Sequence, residues 1–293
     1  MKLKNFLYCI LIYFFIVTSF LYIFENEFYT VADTKLYKNE KVCLIIVDGL
    51  RYDTSLKMPF INEMLNKNNG IHYRAMAETP SISRPGYERI LTGSQTYING
   101  ITSNLGLKPS ITPNLFSACK SNNLKTAACG FYWLKDLYSI SIDEGYFYYY
   151  NDDKVFYEAE KQIINYSPNF LVVHPMKVDR AGHKFGGKSK EYDEVVYEID
   201  SEIKNLYEVL YKNNYTLIIT SDHGHKDKGG HGDSNIKSLE IPIIILSPDL
   251  NATNFKDSNN IISQRDIAPT ICDLLKIPKT NFMTGHSLII KWF

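Results

Sequence analysis

Residues 216–233 read Thr-Leu-Ile-Ile-Thr-Ser-Asp-His-Gly-His-Lys-Asp-Lys-Gly-Gly-His-Gly-Asp. The apolar run Leu217, Ile218 and Ile219 predicts a buried strand. It ends on Ser221, Asp222, His223 and Gly224, then passes into a glycine-rich loop carrying His225 and His231. Open α/β sheets place their sites at the carboxyl ends of buried strands. Asp and His are also oxygen and nitrogen donors that zinc accepts. A polar strand-to-turn exit looks much the same, so the neighbouring strand ends carry the weight.

Residues 42–47, Val-Cys-Leu-Ile-Ile-Val, form a second continuous apolar run, the pattern of a strand covered on both faces. It ends on Asp48-Gly49-Leu50-Arg51. A third strand, 169–173, leads into Asp179 and His183. Ser83 sits where a helix would begin, with Pro85 in its first turn and Gly93 as its stop. Further strands are expected at 72–77, 126–130 and 241–247, and helices at 59–65, 112–122 and 265–275. The clearest helix is 188–212, where Tyr192, Val196, Ile199, Ile203, Leu206 and Leu210 share one apolar face. Strand and helix alternate, so the expected fold is α/β, a mostly parallel central sheet with helices on both faces. The aromatic-rich stretch 130–151 reads as packing over the sheet more readily than as a pocket wall.

The chain has 293 residues, enough for one sizeable domain or two small ones. Its formal net charge is zero, so no basic field points to nucleic acid as a partner. The 22 tyrosines and 16 phenylalanines argue against long disordered regions. The five cysteines form no CxxC pair and take no metal role; Cys119 and Cys129 are the two that proximity would allow to bond. Asn165, Asn214 and Asn251 open glycosylation sequons, relevant in a host that glycosylates.

Residues 5–24 are charge-free and largely apolar, with Lys2 and Lys4 before them and Glu25 and Glu27 after. Such a run spans about 30 Å as a helix, the thickness of a bilayer core. It is too long for a signal-peptide core and lacks a small-residue cleavage site. The expectation is a cytoplasmic tail at 1–4, a single-pass anchor at 5–24, a linker at 25–40 and an extracytoplasmic catalytic domain at 41–293.

Three carboxylates (Asp48, Asp179, Asp222), three imidazoles (His183, His223, His231) and the Ser83 hydroxyl thus fall at one predicted sheet edge. Six such donors suit two divalent cations with three protein ligands each, zinc above all. In chain order, Val-Asp-Gly-Leu-Arg at 47–51, Ser-Arg-Pro-Gly at 83–86 with Leu-Thr-Gly at 91–93, Asp-x-x-Gly-His at 179–183 and Ser-Asp-His-Gly at 221–224 resemble the alkaline phosphatase superfamily. Gln-Arg-Asp-Ile-Ala-Pro-Thr at 264–270 and Gly-His-Ser at 285–287 resemble its C-terminal helix and closing turn. Within it, type I phosphodiesterase/nucleotide pyrophosphatases and the ethanolamine-phosphate transferases of GPI synthesis are the nearest in pattern.

That resemblance implies one zinc on Asp179, His183 and His231, another on Asp48, Asp222 and His223, and Ser83 as a metal-bound nucleophile bridging toward both, with Arg84 assisting at the phosphoryl group. His225 is the rival of His231, which is favoured because its glycine neighbours let the loop fold back. The implied activity is hydrolysis of a nucleotide, lipid or glycan phosphoester through a phosphoserine. Transfer to an alcohol is the alternative, and a non-catalytic binding protein the reading from another class. Sulfatase chemistry is disfavoured, because Tyr87 stands where sulfatases carry arginine and Asp48-Gly49 where they pair aspartates.

Overall fold

The computed structural model describes residues 41–106, 108–149, 152–247 and 262–289. The expected anchor at 5–24, the linker at 25–40 and the Asn251 sequon lie outside the described residues. Among the described residues no helix is long and apolar enough to cross a membrane.

Eight strands form one sheet: β1 (Val42–Ile46), β2 (Gly70–Met76), β3 (Thr126–Phe131), β4 (Glu144–Tyr148), β5 (Phe170–His174), β6 (Thr216–Thr220), β7 (Glu240–Leu246) and β8 (Ile262–Ser263). Their order is β4-β3-β5-β1-β6-β7-β2-β8. The centre is parallel, with Val42 opposite Phe170 on one side and Thr216 on the other. The sheet is mixed, however, rather than mostly parallel: β7 runs antiparallel to both β6 and β2. A parallel return needs a crossover that packs on the sheet. The β6–β7 connection is instead the site loop plus the four-residue helix Ile236–Leu239, and it brings the chain straight back.

Alternate residues of β1 enter opposite cores. Val42, Leu44 and Ile46 face the helices Ser83–Thr92, Leu115–Ser121 and Ile267–Leu275. Cys43, Ile45 and Val47 face Pro59–Asn66, Val155–Lys161 and Lys190–Lys212. Helices on both faces explain why the central strands are apolar throughout. The stretch expected to be an aromatic loop contains a helix (Trp133–Tyr138) and the edge strand β4. Cys119 and Cys129 are free, buried thiols and do not pair.

The Ser83–Thr92 helix is buried at all ten positions although half of them are polar. Each buried polar group therefore needs a partner. Arg89 donates to Gln264 Oε1 (2.7 Å), Thr96 Oγ1 (2.8 Å) and the Pro80 carbonyl (3.0 Å). Glu88 accepts from Ser110 Oγ and Tyr138 Oη. Burial pushes the Glu88 carboxyl up from 4.5 to about 7, against the pull of those two hydroxyls and Arg84. Between these values the folded chain holds a proton that the unfolded chain has released. The stabilisation is thus complete below the lower value and lost as pH rises through the upper one. In Glu88→Gln the metal-free protein is expected to lose less thermal stability than wild type between pH 5 and 7.5. The difference is on the order of 3 kcal/mol. Parallel pH profiles in thermal melts would contradict the assignment.

Candidate active site

The carboxyl ends of β1, β5 and β6 lie side by side. Asp48 follows β1, and Asp222 and His223 follow β6. The helix Lys177–Phe185, after β5, carries Asp179 and His183 four residues apart, on one face. The loop bearing His225 and His231 is drawn back over this edge by fixed contacts. Arg51 binds Asp53 through Nε and Nη2 and Asp227 through Nη1 (2.7 Å). Ser81 Oγ accepts from Gly232 N (3.0 Å) and donates to the Asp233 carbonyl (2.9 Å).

Most candidate donors have one atom anchored and another left free. Tyr87 Oη and His174 Nε2 (3.1 Å) both hold Asp48 Oδ2, while the buried Oδ1 has no hydrogen-bond partner. Asp222 Oδ1 accepts from Gly49 N (3.2 Å), while the buried Oδ2 has none. His223 Nδ1 donates to the Gly224 carbonyl (3.1 Å) and His231 Nδ1 to the Ser81 carbonyl (2.8 Å), which leaves each Nε2 a lone pair. Orphaned buried carboxylate oxygens facing imidazole lone pairs are what a cation would satisfy.

The spacings fit that reading. Donors about 2.0–2.1 Å from one tetrahedral zinc stand about 3.3 Å from each other. His223 Nε2 is 3.5 Å from Asp48 Oδ1, 3.3 Å from Asp222 Oδ2 and 3.4 Å from Ser83 Oγ. Asp179 Oδ1 is 3.6 Å from His183 Nε2 and 3.5 Å from His231 Nε2, and the two imidazole nitrogens are 3.0 Å apart. All seven sequence-derived donors therefore converge. His183 sits at the rim with its side chain 53% exposed, whereas Asp48, Asp222 and His223 are fully buried. His225, the rival donor, is also buried here, with Nε2 2.9 Å from Asp179 Oδ1.

Ser83 is the first helical residue, Ile82 being the cap, and its hydroxyl makes no capping bond. The dull explanation for a serine at this point is thereby removed. Gly86 lets this helix approach: a Cβ there would stand 2.7 Å from Asp222 Cβ. Arg84 is buried beside Ser83. Its guanidinium is 1% exposed, donates through Nη2 to the Lys108 carbonyl (3.0 Å) and stands 3.6 Å from Asp136, while the buried Nε and Nη1 make no hydrogen bond. Asn104, which the sequence reading passed over, accepts from Arg84 N (2.9 Å) beside the nucleophile. Tyr87, His174 and Ser81 were also missed. Only His174, a polar end to an apolar strand, had the signal that singled out Asp48.

The electrostatics match a site that lacks positive charge. Burial, then Asp222 and Asp179, raises the Asp48 carboxyl well above its usual range. Burial and Asp179 do the same to Asp222. Asp179 lies below the usual carboxylate range: burial would raise it, but the His225 hydrogen bond and the surrounding imidazoles outweigh that. Burial depresses His223 and His231, keeping their rings neutral. They stack at 3.6 Å.

A mixed α/β sheet presenting this Asp/His edge is the architecture of the alkaline phosphatase superfamily. The Sulfatase family model matches residues 42–277, and the chain belongs to that family. GPI ethanolamine phosphate transferase 2 of Schizosaccharomyces pombe is 28% identical over 277 residues, covering 82% of this chain and 36% of the relative. The chain thus spans about a third of such relatives' length. Among solved structures, murine ectonucleotide pyrophosphatase/phosphodiesterase 5 in complex with AMP superposes with a TM-score of 0.67 at 15% identity, over 82% of this chain and 96% of that one. The periplasmic domain of EptC from Escherichia coli in complex with Zn gives 0.64 at 16% identity, over 88% and 89%. At these identities the likeness to solved structures is one of fold.

Proposed function

We propose that this chain cleaves phosphoric esters with Ser83 as nucleophile. The observation that carries the reading is the pair of orphaned oxygens, Asp48 Oδ1 and Asp222 Oδ2, converging with Ser83 Oγ on His223 Nε2. Asp48, Asp222 and His223 would hold one divalent cation, and Asp179, His183 and His231 a second. Bound zinc supplies positive charge that favours the ionised serine and neutralises the phosphoryl oxygens. The chemical nature of the donors and the zinc complex of EptC support zinc as the metal.

In the proposed reaction Ser83 Oγ releases its proton to solvent and forms a bond to phosphorus as the ester oxygen–phosphorus bond breaks, the departing oxygen taking a proton from solvent. The product is a phosphoserine. The N-terminal end of the Ser83–Thr92 helix, opened by the Ser83 amide, stabilises charge on the phosphoryl oxygens through its dipole. Asn104 holds the Arg84 amide in place. Attack by a second acceptor then releases the serine: water makes the enzyme a phosphodiesterase or phosphatase, an alcohol makes it a transferase. The GPI ethanolamine phosphate transferases among the sequence relatives favour the alcohol. The substrate is a nucleotide, lipid or glycan ester, met outside the cytoplasm by a domain tethered through residues 5–24. Tyr87, which binds Asp48 and stands where the sulfatase signature has an arginine, speaks against sulfate esters.

Zinc-loaded protein should be given a chromogenic phosphodiester and the matching monoester, each with and without an added alcohol acceptor. Turnover in water alone supports the hydrolase. Turnover only with the alcohol supports the transferase. A protein that binds no zinc and turns over neither ester removes the proposal.

A further inference from the structure

His225 lies in the site loop, yet neither triad needs it. Its ring is fully buried and fills a slot cleared by three glycines, one after β1 and two in and just after the Lys177–Phe185 helix. A Cβ on Gly49 would stand 2.9 Å from the ring, on Gly182 2.4 Å from it, and on Gly187 2.8 Å from its Cβ. Chain segments that give up side chains to admit one imidazole leave that imidazole little freedom to turn.

The ring's hydrogen bonding identifies its tautomer. Nδ1 is buried without a partner, while Nε2 lies 2.9 Å from Asp179 Oδ1. A buried N–H with no acceptor is costly, and an unused lone pair much less so. The proton therefore sits on Nε2 and is donated to the carboxylate. In the metal-free chain Nε2 thus donates to Asp179, although it also lies with Asp179, His223 and His231 in a group close enough to share one cation.

We propose that His225 is a positioning residue, which fixes the Asp179 carboxylate so that Oδ1 faces His183 and His231. Tyr87 and His174 hold the Asp48 oxygen other than the one left free, whereas His225 binds the facing oxygen of Asp179 itself. This positioning role rests on the two-cation reading above, and it predicts that His225 serves one centre and not the other.

The test is zinc titration calorimetry on the full chain, with wild type, His225→Met, His225→Gln and Gly182→Ala compared. Met fills the slot without a donor, and Gln restores an N–H near the position of Nε2. Loss of such an outer partner costs about 10- to 100-fold in metal affinity. His225→Met should therefore bind one equivalent as wild type does and the other 10- to 100-fold more weakly. His225→Gln should stay within about threefold of wild type at both. Gly182→Ala, which crowds the ring without altering it, should resemble His225→Met.

Nitrogen-15 NMR of the metal-free wild type should show the Nε2–H tautomer at His225, a readout independent of metal and of any variant's folding. Two wild-type affinities in His225→Met would overturn the proposal. So would an equal loss in Gln and Met, or an Nδ1–H tautomer. A wild type that binds no zinc at all would instead remove the functional reading, and leave the tautomer measurement to decide the role of His225.

Discussion

Ser83→Ala is expected to lower turnover by about 10⁴-fold or more while both zinc equivalents remain bound. The size follows from chemistry, because no neighbouring group can replace the missing Oγ. Ser81, the nearest other serine in sequence, is committed to Gly232, Asp233 and the His231 loop. Metal retention follows from geometry: His223, Asp48 and Asp222 keep their anchoring partners, none of which is Ser83. Folding should not change either, since Ile82 caps the helix and the Ser83 hydroxyl makes no cap. Thermal melts should agree within about 1 kcal/mol. Zinc titration, melting and ester turnover on the same preparation separate these effects. Residual activity near wild type would mean that another group attacks phosphorus.

The candidate donors were legible because they interrupt apolar runs. Asp48 and Asp222 each follow a stretch that is buried on both faces, where a carboxylate has no structural reason to be. The groups that orient them left no such trace. Tyr87 is 39 residues from Asp48, His174 is 126 away, and both are packed where an ordinary core side chain would be. Arg84 left a different gap: a basic residue next to the nucleophile suggests a phosphate contact, and nothing in the sequence announces that Asn104 and the Lys108 carbonyl bind it. The α/β class was readable from alternation, whereas the reversal of β7 was not. A strand buried on both faces has the same apolar pattern whichever way it runs. The edge strand β4 begins with exposed Glu144 and Gly145, and so lacks the β-branched signal of the centre.

Asp222→Asn is expected to remove one zinc equivalent and most of the zinc-dependent stabilisation, yet leave the metal-free protein as stable as wild type or more so. The substitution keeps an Oδ1 that can accept from Gly49 N, so the turn after β1 retains its hydrogen bond. It replaces a fully buried carboxyl, raised well above its usual range by burial and Asp179 and neighboured by Asp48 and Arg89, with a neutral amide. Without a cation, burying that group costs stability whether it ionises or takes up a proton, and the substitution relieves the cost. With zinc the order reverses. A ligand at a thousand times its dissociation constant stabilises the fold by about 4 kcal/mol per site, and for a chain of this size each kcal/mol raises Tm by about 2–4 °C. Wild type should therefore melt about 8–16 °C higher for that site when zinc is added and return on chelation, whereas Asp222→Asn keeps only the contribution of the Asp179 centre. The crossing of the two variants with and without metal is the diagnostic result. An Asp222→Asn protein that is strongly destabilised when metal-free, with an unchanged zinc response, would make Asp222 a structural carboxylate and remove the first cation from the site.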